Sequence, residues 1–133
     1  MPFEQSWLVQ NAVILVKYED DVTIDEVTES VEELVWRMNT TQRQLVHMVM
    51  DMTALGTHPT NLSELNNIAK MLLSHERVGW LLMLGNQNSL TKFLVEMIAQ
   101  MSKIRFRGFV DWEETREFLQ GMDSTLPELP EEI

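Results

Sequence analysis

Two hydrophobic rhythms alternate along this chain. Short continuous apolar runs are separated by stretches in which apolar residues return every three or four positions. The first kind reads as strand and the second as amphipathic helix. Residues 3–9 and 12–19 predict two strands joined at Gln10-Asn11, a hairpin whose first strand lies at a sheet edge. Thr23-Ile24-Asp25-Glu26 is a capping box. Behind it Ile24, Val27, Val31, Leu34, Val35 and Met38 fall on one stripe, and the helix ends near Asn39-Thr40-Thr41. Residues 45–52 are almost unbroken apolar, the signature of an interior strand covered on both faces. The polar stretch 53–60 predicts a loop. Asn61-Leu62-Ser63-Glu64 then opens a second helix, with Leu65, Ile68, Ala69 and Leu72 as its buried stripe.

Residues 78–84 repeat the interior-strand pattern, and 85–88 predict a polar loop. Leu90, Phe93, Leu94, Met97, Ile98 and Met101 mark a third helix. In 104–110, Arg105 and Arg107 alternate with Ile104 and Phe106, as suits a strand near an edge. Asp111 caps a fourth helix that buries Trp112, Phe118 and Leu119. The order is β-β-α-β-α-β-α-β-α. It predicts a single α/β domain over 1–122, with a five-stranded sheet that is parallel apart from its first strand, and four helices. The acidic, proline-punctuated segment 123–133 is predicted to be a loose tail.

Charge and composition narrow the function classes. The net charge is −11, with eight acids between Glu19 and Glu33 and eight between Asp111 and Glu132. Such a surface repels nucleic-acid phosphates and anionic membrane, so neither is expected as a partner. No apolar run reaches membrane-spanning length, and the first residues carry no signal-like apolar stretch. With no cysteine, thiolate chemistry and disulfides are excluded. A cytoplasmic location fits these features.

The candidate chemistry is thin. Helix two's N-terminus has unpaired N–H groups and the positive end of the helix dipole, and Thr57, Thr60, Asn61 and Ser63 gather there. In the plainer reading Asn61 or Thr60 caps the helix and the hydroxyls belong to a loop. Asp51 shares strand parity with His47, an arrangement compatible with acid–base chemistry. No serine, cysteine or lysine stands at a telling distance, so a hydrogen-bonded core histidine is the better reading. His58 and His75 fit no metal-ligand spacing. No cofactor or metal is expected. Methionines such as Met97 and Met101 are read as core packing. A phospho-acceptor receiver domain fails because Lys103 precedes the last strand instead of following it.

Asp51-Met52-Thr53 closing the central strand resembles the Asp-Leu-Ser of the STAS superfamily, most closely its SpoIIAA-like branch. The run 78–84 followed by Gly85-Asn86 is similar to that family's Val-Val-Gly-Asp. Arg105-Phe106-Arg107-Gly108-Phe109 and the acidic last helix resemble its closing strand and helix. The resemblance covers residues 12–119. It implies a superhelix of βα units with sequentially adjacent strands. It also implies a non-enzymatic regulatory protein, an anti-sigma-factor antagonist or a stand-alone relative, binding a protein partner such as a kinase-like anti-sigma factor. A homodimer is compatible with it. The contact region it implies comprises Asp51, Thr53, Thr57, Thr60, Asn61 and Ser63. In classical members a serine capping helix two is the phosphorylation switch. Aligned without gaps from Asp51, that position is Asn61, which cannot take a phosphate. The second function carried forward is a carrier or sensor of a small apolar or lipid-like ligand.

Overall fold

The computed structural model describes residues 3–85 and 89–133. Among these, five strands form one sheet in sequential order, β1-β2-β3-β4-β5. The strands are β1 Phe3–Val9, β2 Val13–Asp20, β3 Val46–Leu55, β4 Val78–Leu84 and β5 Arg105–Phe109. The helices are α1 Ile24–Thr40, α2 Leu62–Leu73, α3 Ser89–Ser102 and α4 Trp112–Met122. The β1–β2 pair is antiparallel and every other pair is parallel, as the hairpin and the β-α alternation predict. Asn11 takes the left-handed turn conformation, with φ of 66°. Of the loop predicted over 85–88, residues 86–88 lie outside the described residues.

The topology decides where the two cores sit. Each crossover moves one strand further in the same direction across the sheet. Right-handed crossovers of that kind put every connecting helix on one face. The first core accordingly packs Val31, Leu34 and Met38 of α1 and Leu72 and Leu73 of α2 against Ile14, Val16, Met48 and Leu81. The opposite face carries Val13, Leu15, Val49 and Leu82, and is covered by Trp112 and Leu119 of α4.

One short helix does not cover that face, and here the structure departs from the sequence reading. Residues 123–133, expected to be loose, are packed against the sheet. Leu129 is 2% exposed, and Leu126 and Ile133 join the same core. The Trp112 indole N–H donates to the Pro130 carbonyl at 2.9 Å, and Arg116 Nε donates to the Leu129 carbonyl at 3.2 Å. The apolar side chains at 126, 129 and 133 hold the segment down, while Glu128, Glu131 and Glu132 are exposed.

Helix α3 differs in detail. It meets the core through Leu94 and Ala99. Phe93 and Met101, assigned by spacing to the buried stripe, are 54% and 52% exposed. A stripe chosen from apolar identity alone was wider than the face the sheet can cover. Arg105 and Arg107 are exposed on the edge strand as expected, and the Arg107 guanidinium lies 4.9 Å from the Phe118 ring centre.

Strand β4 approaches β3 closely at His47. A Cβ built on Gly79 would lie 2.5 Å from His47 Nδ1. Replacing Gly79 with alanine should therefore cost about 1–3 kcal/mol, the usual range for overpacking. Urea unfolding checks this, and an unchanged midpoint would mean that the ring moves aside freely.

Candidate functional site

Two places concentrate chemistry: a buried histidine–carboxylate network on the α4 face, and the carboxyl end of the sheet. His47 lies in β3 and is 2% exposed. The Trp80 backbone N–H donates to its Nδ1 at 3.0 Å, so the proton of the neutral ring sits on Nε2. That Nε2–H donates to Asp123 Oδ2 at 2.9 Å. Arg43 Nη2 donates to the same oxygen at 3.0 Å, and also to the Thr125 hydroxyl. The carboxylate that satisfies His47 is thus Asp123, far along the chain. Asp51, its same-face neighbour, turns instead to Thr53, accepting from its amide at 3.0 Å and its hydroxyl at 2.6 Å.

Burial pushes the His47 pKa below its ordinary value, and the Asp123 carboxylate only partly opposes this. Burial also resists ionisation of Asp123. Hydrogen bonds from Thr125, His47 and Arg43 outweigh it and hold Asp123 well below the usual carboxylate range. With Trp80 on one side and Asp123 on the other, His47 fixes the docked C-terminal segment to the sheet. It is a satisfied core histidine, as its mid-strand position predicts.

The carboxyl end of β3 holds the residues expected to form a contact region. Strand β3 runs to Leu55, because β2 continues to Asp20 and pairs Glu19 with Ala54 and Asp20 with Leu55. Thr53 therefore belongs to the strand, and the loop is shorter than the predicted 53–60. Gly56 N–H donates to the Asp20 carbonyl at 2.7 Å. Asp21 Oδ1 accepts from the Thr57 amide at 2.9 Å and its hydroxyl at 2.8 Å. Those two bonds hold the Asp21 pKa below its usual value. A Cβ on Gly56 would fall 2.8 Å from the same Asp21 oxygen, so a glycine lets the two loops meet.

Beyond Thr57 the loop turns to α3. His58 Nδ1 lies 2.8 Å from the Pro59 carbonyl and must donate to it, and Nε2 lies 2.5 Å from the Thr91 hydroxyl. Asn61 caps α2, its Oδ1 accepting from the Glu64 amide at 3.0 Å. Thr53, Thr57, Thr60, Asn61 and Ser63 are all exposed here, and Asp51 is half-buried. The structure brings the six predicted residues to one end of the sheet.

Under this loop, between the sheet and α1, α2 and α3, lies a cavity of about 160 Å³. Its wall is nearly all aliphatic and thioether, including Leu34, Met50, Met52, Leu65, Ile68 and Leu81. The stripe of α2 is half-buried at Leu65, Ile68 and Ala69 because it faces this space. The polar-bearing wall residues are Tyr18, His58 and Thr91. Burial pushes the Tyr18 phenol pKa up, so it stays protonated. The Ser30 hydroxyl gives its own proton to the Val27 carbonyl and therefore accepts from Tyr18 at 2.8 Å. This space is partly open to solvent. No sequence signal announces it, because the residues that line it have the spacing of an ordinary core.

Among the described residues no group of three His, Asp or Glu side chains could hold a metal ion, and no helix is long and apolar enough to cross a membrane.

No protein-family model matches the chain, and no curated protein matches it in sequence. Solved structures do match its fold. An uncharacterized protein of the DUF3478 family with a SpoIIAA-like fold, from Shewanella loihica PV-4, superposes with a TM-score of 0.58. The two are 14% identical over 80% of this chain and 83% of that one. The anti-sigma factor antagonist SpoIIAA in its unphosphorylated form gives a TM-score of 0.54 and 8% identity, over 90% of this chain and 98% of that one. The fold is therefore SpoIIAA-like, as the element order and the closing residues of the strands implied.

Asn61→Ala should lower stability by about 1 kcal/mol through loss of the cap, while Asn61→Asp should not. Equal midpoints for the wild type and Asn61→Ala in chemical unfolding would refute the cap. A pH dependence follows from His47. Its pKa is lowered on folding, so the unfolded chain binds more protons than the folded one just below the ordinary value of 6.5. Stability is then fully present above that pH and falls as pH drops through it. Asp123 adds a separate loss only below its ordinary 3.8. His47→Asn should flatten the first slope and weaken the second, because Asp123 loses one of its donors. Urea midpoints measured across the acid range test this, and an unchanged upper slope in the variant would contradict it.

Proposed function

We propose that this protein is a non-enzymatic binding module of regulatory type. It would contact a protein partner through the carboxyl end of its sheet: Asp51 and Thr53 at the end of β3, Thr57 and Thr60 in the loop, and Asn61 and Ser63 at the start of α2. One observation carries the reading. The loop is exposed, yet it is fixed at both ends, by Asp21 on Thr57 and by the Asn61 cap on α2. A loop pinned at both ends can present Thr60 and Ser63 at reduced ordering cost on binding. Open α/β sheets place their binding sites at this end.

The likeness to SpoIIAA, an anti-sigma factor antagonist, makes a kinase-like anti-sigma factor the class of partner to try first. The histidine–carboxylate chemistry of the chain is spent elsewhere: His47 and Asp123 are engaged in docking the C-terminal segment. That supports binding rather than catalysis as the role. Asn61 uses its side-chain oxygen to cap α2 and offers no hydroxyl for phosphate. Partner binding in this reading is not controlled by a phosphoserine at that position.

The carrier reading has the cavity in its favour, but about 160 Å³ is small. Pockets for drug-sized ligands span roughly 300–1,000 Å³. A long-chain lipid is not accommodated without expansion.

A photo-cross-linking residue placed at Thr60 or Ser63 should capture the same protein from host cells. One placed at Glu117, exposed on α4, should not. No adduct from the first two positions, or the same adduct from all three, would count against this surface.

A further inference from the structure

We propose that the cavity beneath the loop is a binding site for a compact apolar molecule, of the size of a single aromatic ring or a short branched hydrocarbon chain. Its occupancy would set the position of the loop above it.

The chemistry of the wall selects this class. Each polar wall residue already makes a hydrogen bond: Tyr18 to Ser30, and His58 to both Pro59 and Thr91. Nothing in the wall calls for a charged ligand or an ordered water, which needs two to four polar partners. An enclosed cavity of about 150 Å³ lined by aliphatic side chains takes benzene or xenon, and the space here, though partly open, is of that size. Protein interiors are packed to crystal-like density and seldom leave voids beyond the size of a water molecule. A space of this volume at the centre of the α1–α2–α3 layer is therefore a feature to be filled.

The loop is built as a strap across the carboxyl end of the cavity. On the α1 side Thr57 is tied to Asp21, and its carbonyl accepts from the Val22 amide at 2.9 Å. On the α3 side His58 is tied to Thr91. Between these ties, His58 and Pro59 form part of the cavity wall. Two residues further on stands the Asn61 cap. The space is partly open to solvent, and a molecule entering it comes to rest beside the His58–Thr91 bond. Once seated, it supports His58 and Pro59 from below. The segment it would move is the one assigned above to partner contact. Control of partner binding by the ligand rests on that reading, whereas the ligand site does not.

Benzene is the probe, read with protein carrying ¹³C-methyl methionine and ¹⁵N backbone. Met50 and Met52 line the cavity, while Met122 is exposed in α4 and serves as control. Benzene should shift the Met50 and Met52 methyl resonances saturably and leave Met122 in place. The amides of Thr57, His58 and Asn61 should move with the same dissociation constant. Ala69→Leu fills the space from α2 and should weaken benzene binding at least tenfold, with a thermal midpoint equal to or above that of the wild type. Ala99→Val fills it from α3 if the first variant folds poorly. Methyl groups unmoved by saturating benzene would overturn the site. Saturable methyl shifts with unmoved loop amides would overturn the control of the loop. Neither readout involves a protein partner, so these failures are distinct from the absence of a cross-link at Thr60 and Ser63.

Discussion

The structure depends on one topological constraint: every crossover steps the same way across the sheet. Right-handed connections then stack α1, α2 and α3 on a single face. The other face of an interior β3 and β4 is just as apolar and cannot be left to water. Only α4 and the C-terminal segment remain to cover it. Leu126, Leu129 and Ile133, from the last eleven residues, are therefore part of the core. They are fastened by the most connected polar group among the described residues, Asp123, which gathers His47, Arg43 and its own neighbour Thr125. This ionised group, well below the usual carboxylate pKa, has several donors to it, which is how a half-buried charge is tolerated.

The helix face has the opposite problem. Three helices lie over one side of a twisted sheet, and their apolar stripes do not meet everywhere. The helix layer closes against the sheet at the amino ends of the strands, near Met38, Val46 and Val78. Toward the carboxyl ends of the strands it leaves the cavity. The β3–α2 loop lies over that gap, tied to the β2–α1 loop on one side and to α3 on the other. The exposed loop proposed for partner contact and the apolar pocket are thus two sides of one short segment, 56–61.

The polar side chains at this end illustrate how chemistry-bearing residues can be consumed by structure. Asp51, Asp21 and Asn61 each accept from nearby amide or hydroxyl groups, and each such bond stabilises a turn or a helix start. What is left exposed at this end includes Thr60 and Ser63.

The sequence by itself determined the elements, their order and the SpoIIAA-like architecture. Strand and helix periods are local properties: the runs at 45–52 and 78–84 have the length and apolar continuity of an interior strand, and the caps at Thr23, Asn61 and Asp111 work within four residues. It also brought Thr57, Thr60, Asn61 and Ser63 to one end of the sheet, because α/β order alone fixes which loops share an end. Tertiary structure decided what depends on separation in space. His47 found Asp123 and not Asp51, since a partner 76 residues away is invisible to local spacing. The tail packed because a face was left bare, and no composition rule for disorder counts bare faces. Strand β3 ran on through Leu55 because β2 offered it a partner as far as Asp20. The cavity exists only as the mismatch between three helix faces and a sheet. Each of those faces reads in sequence as ordinary core, so the space between them belongs to the packing alone.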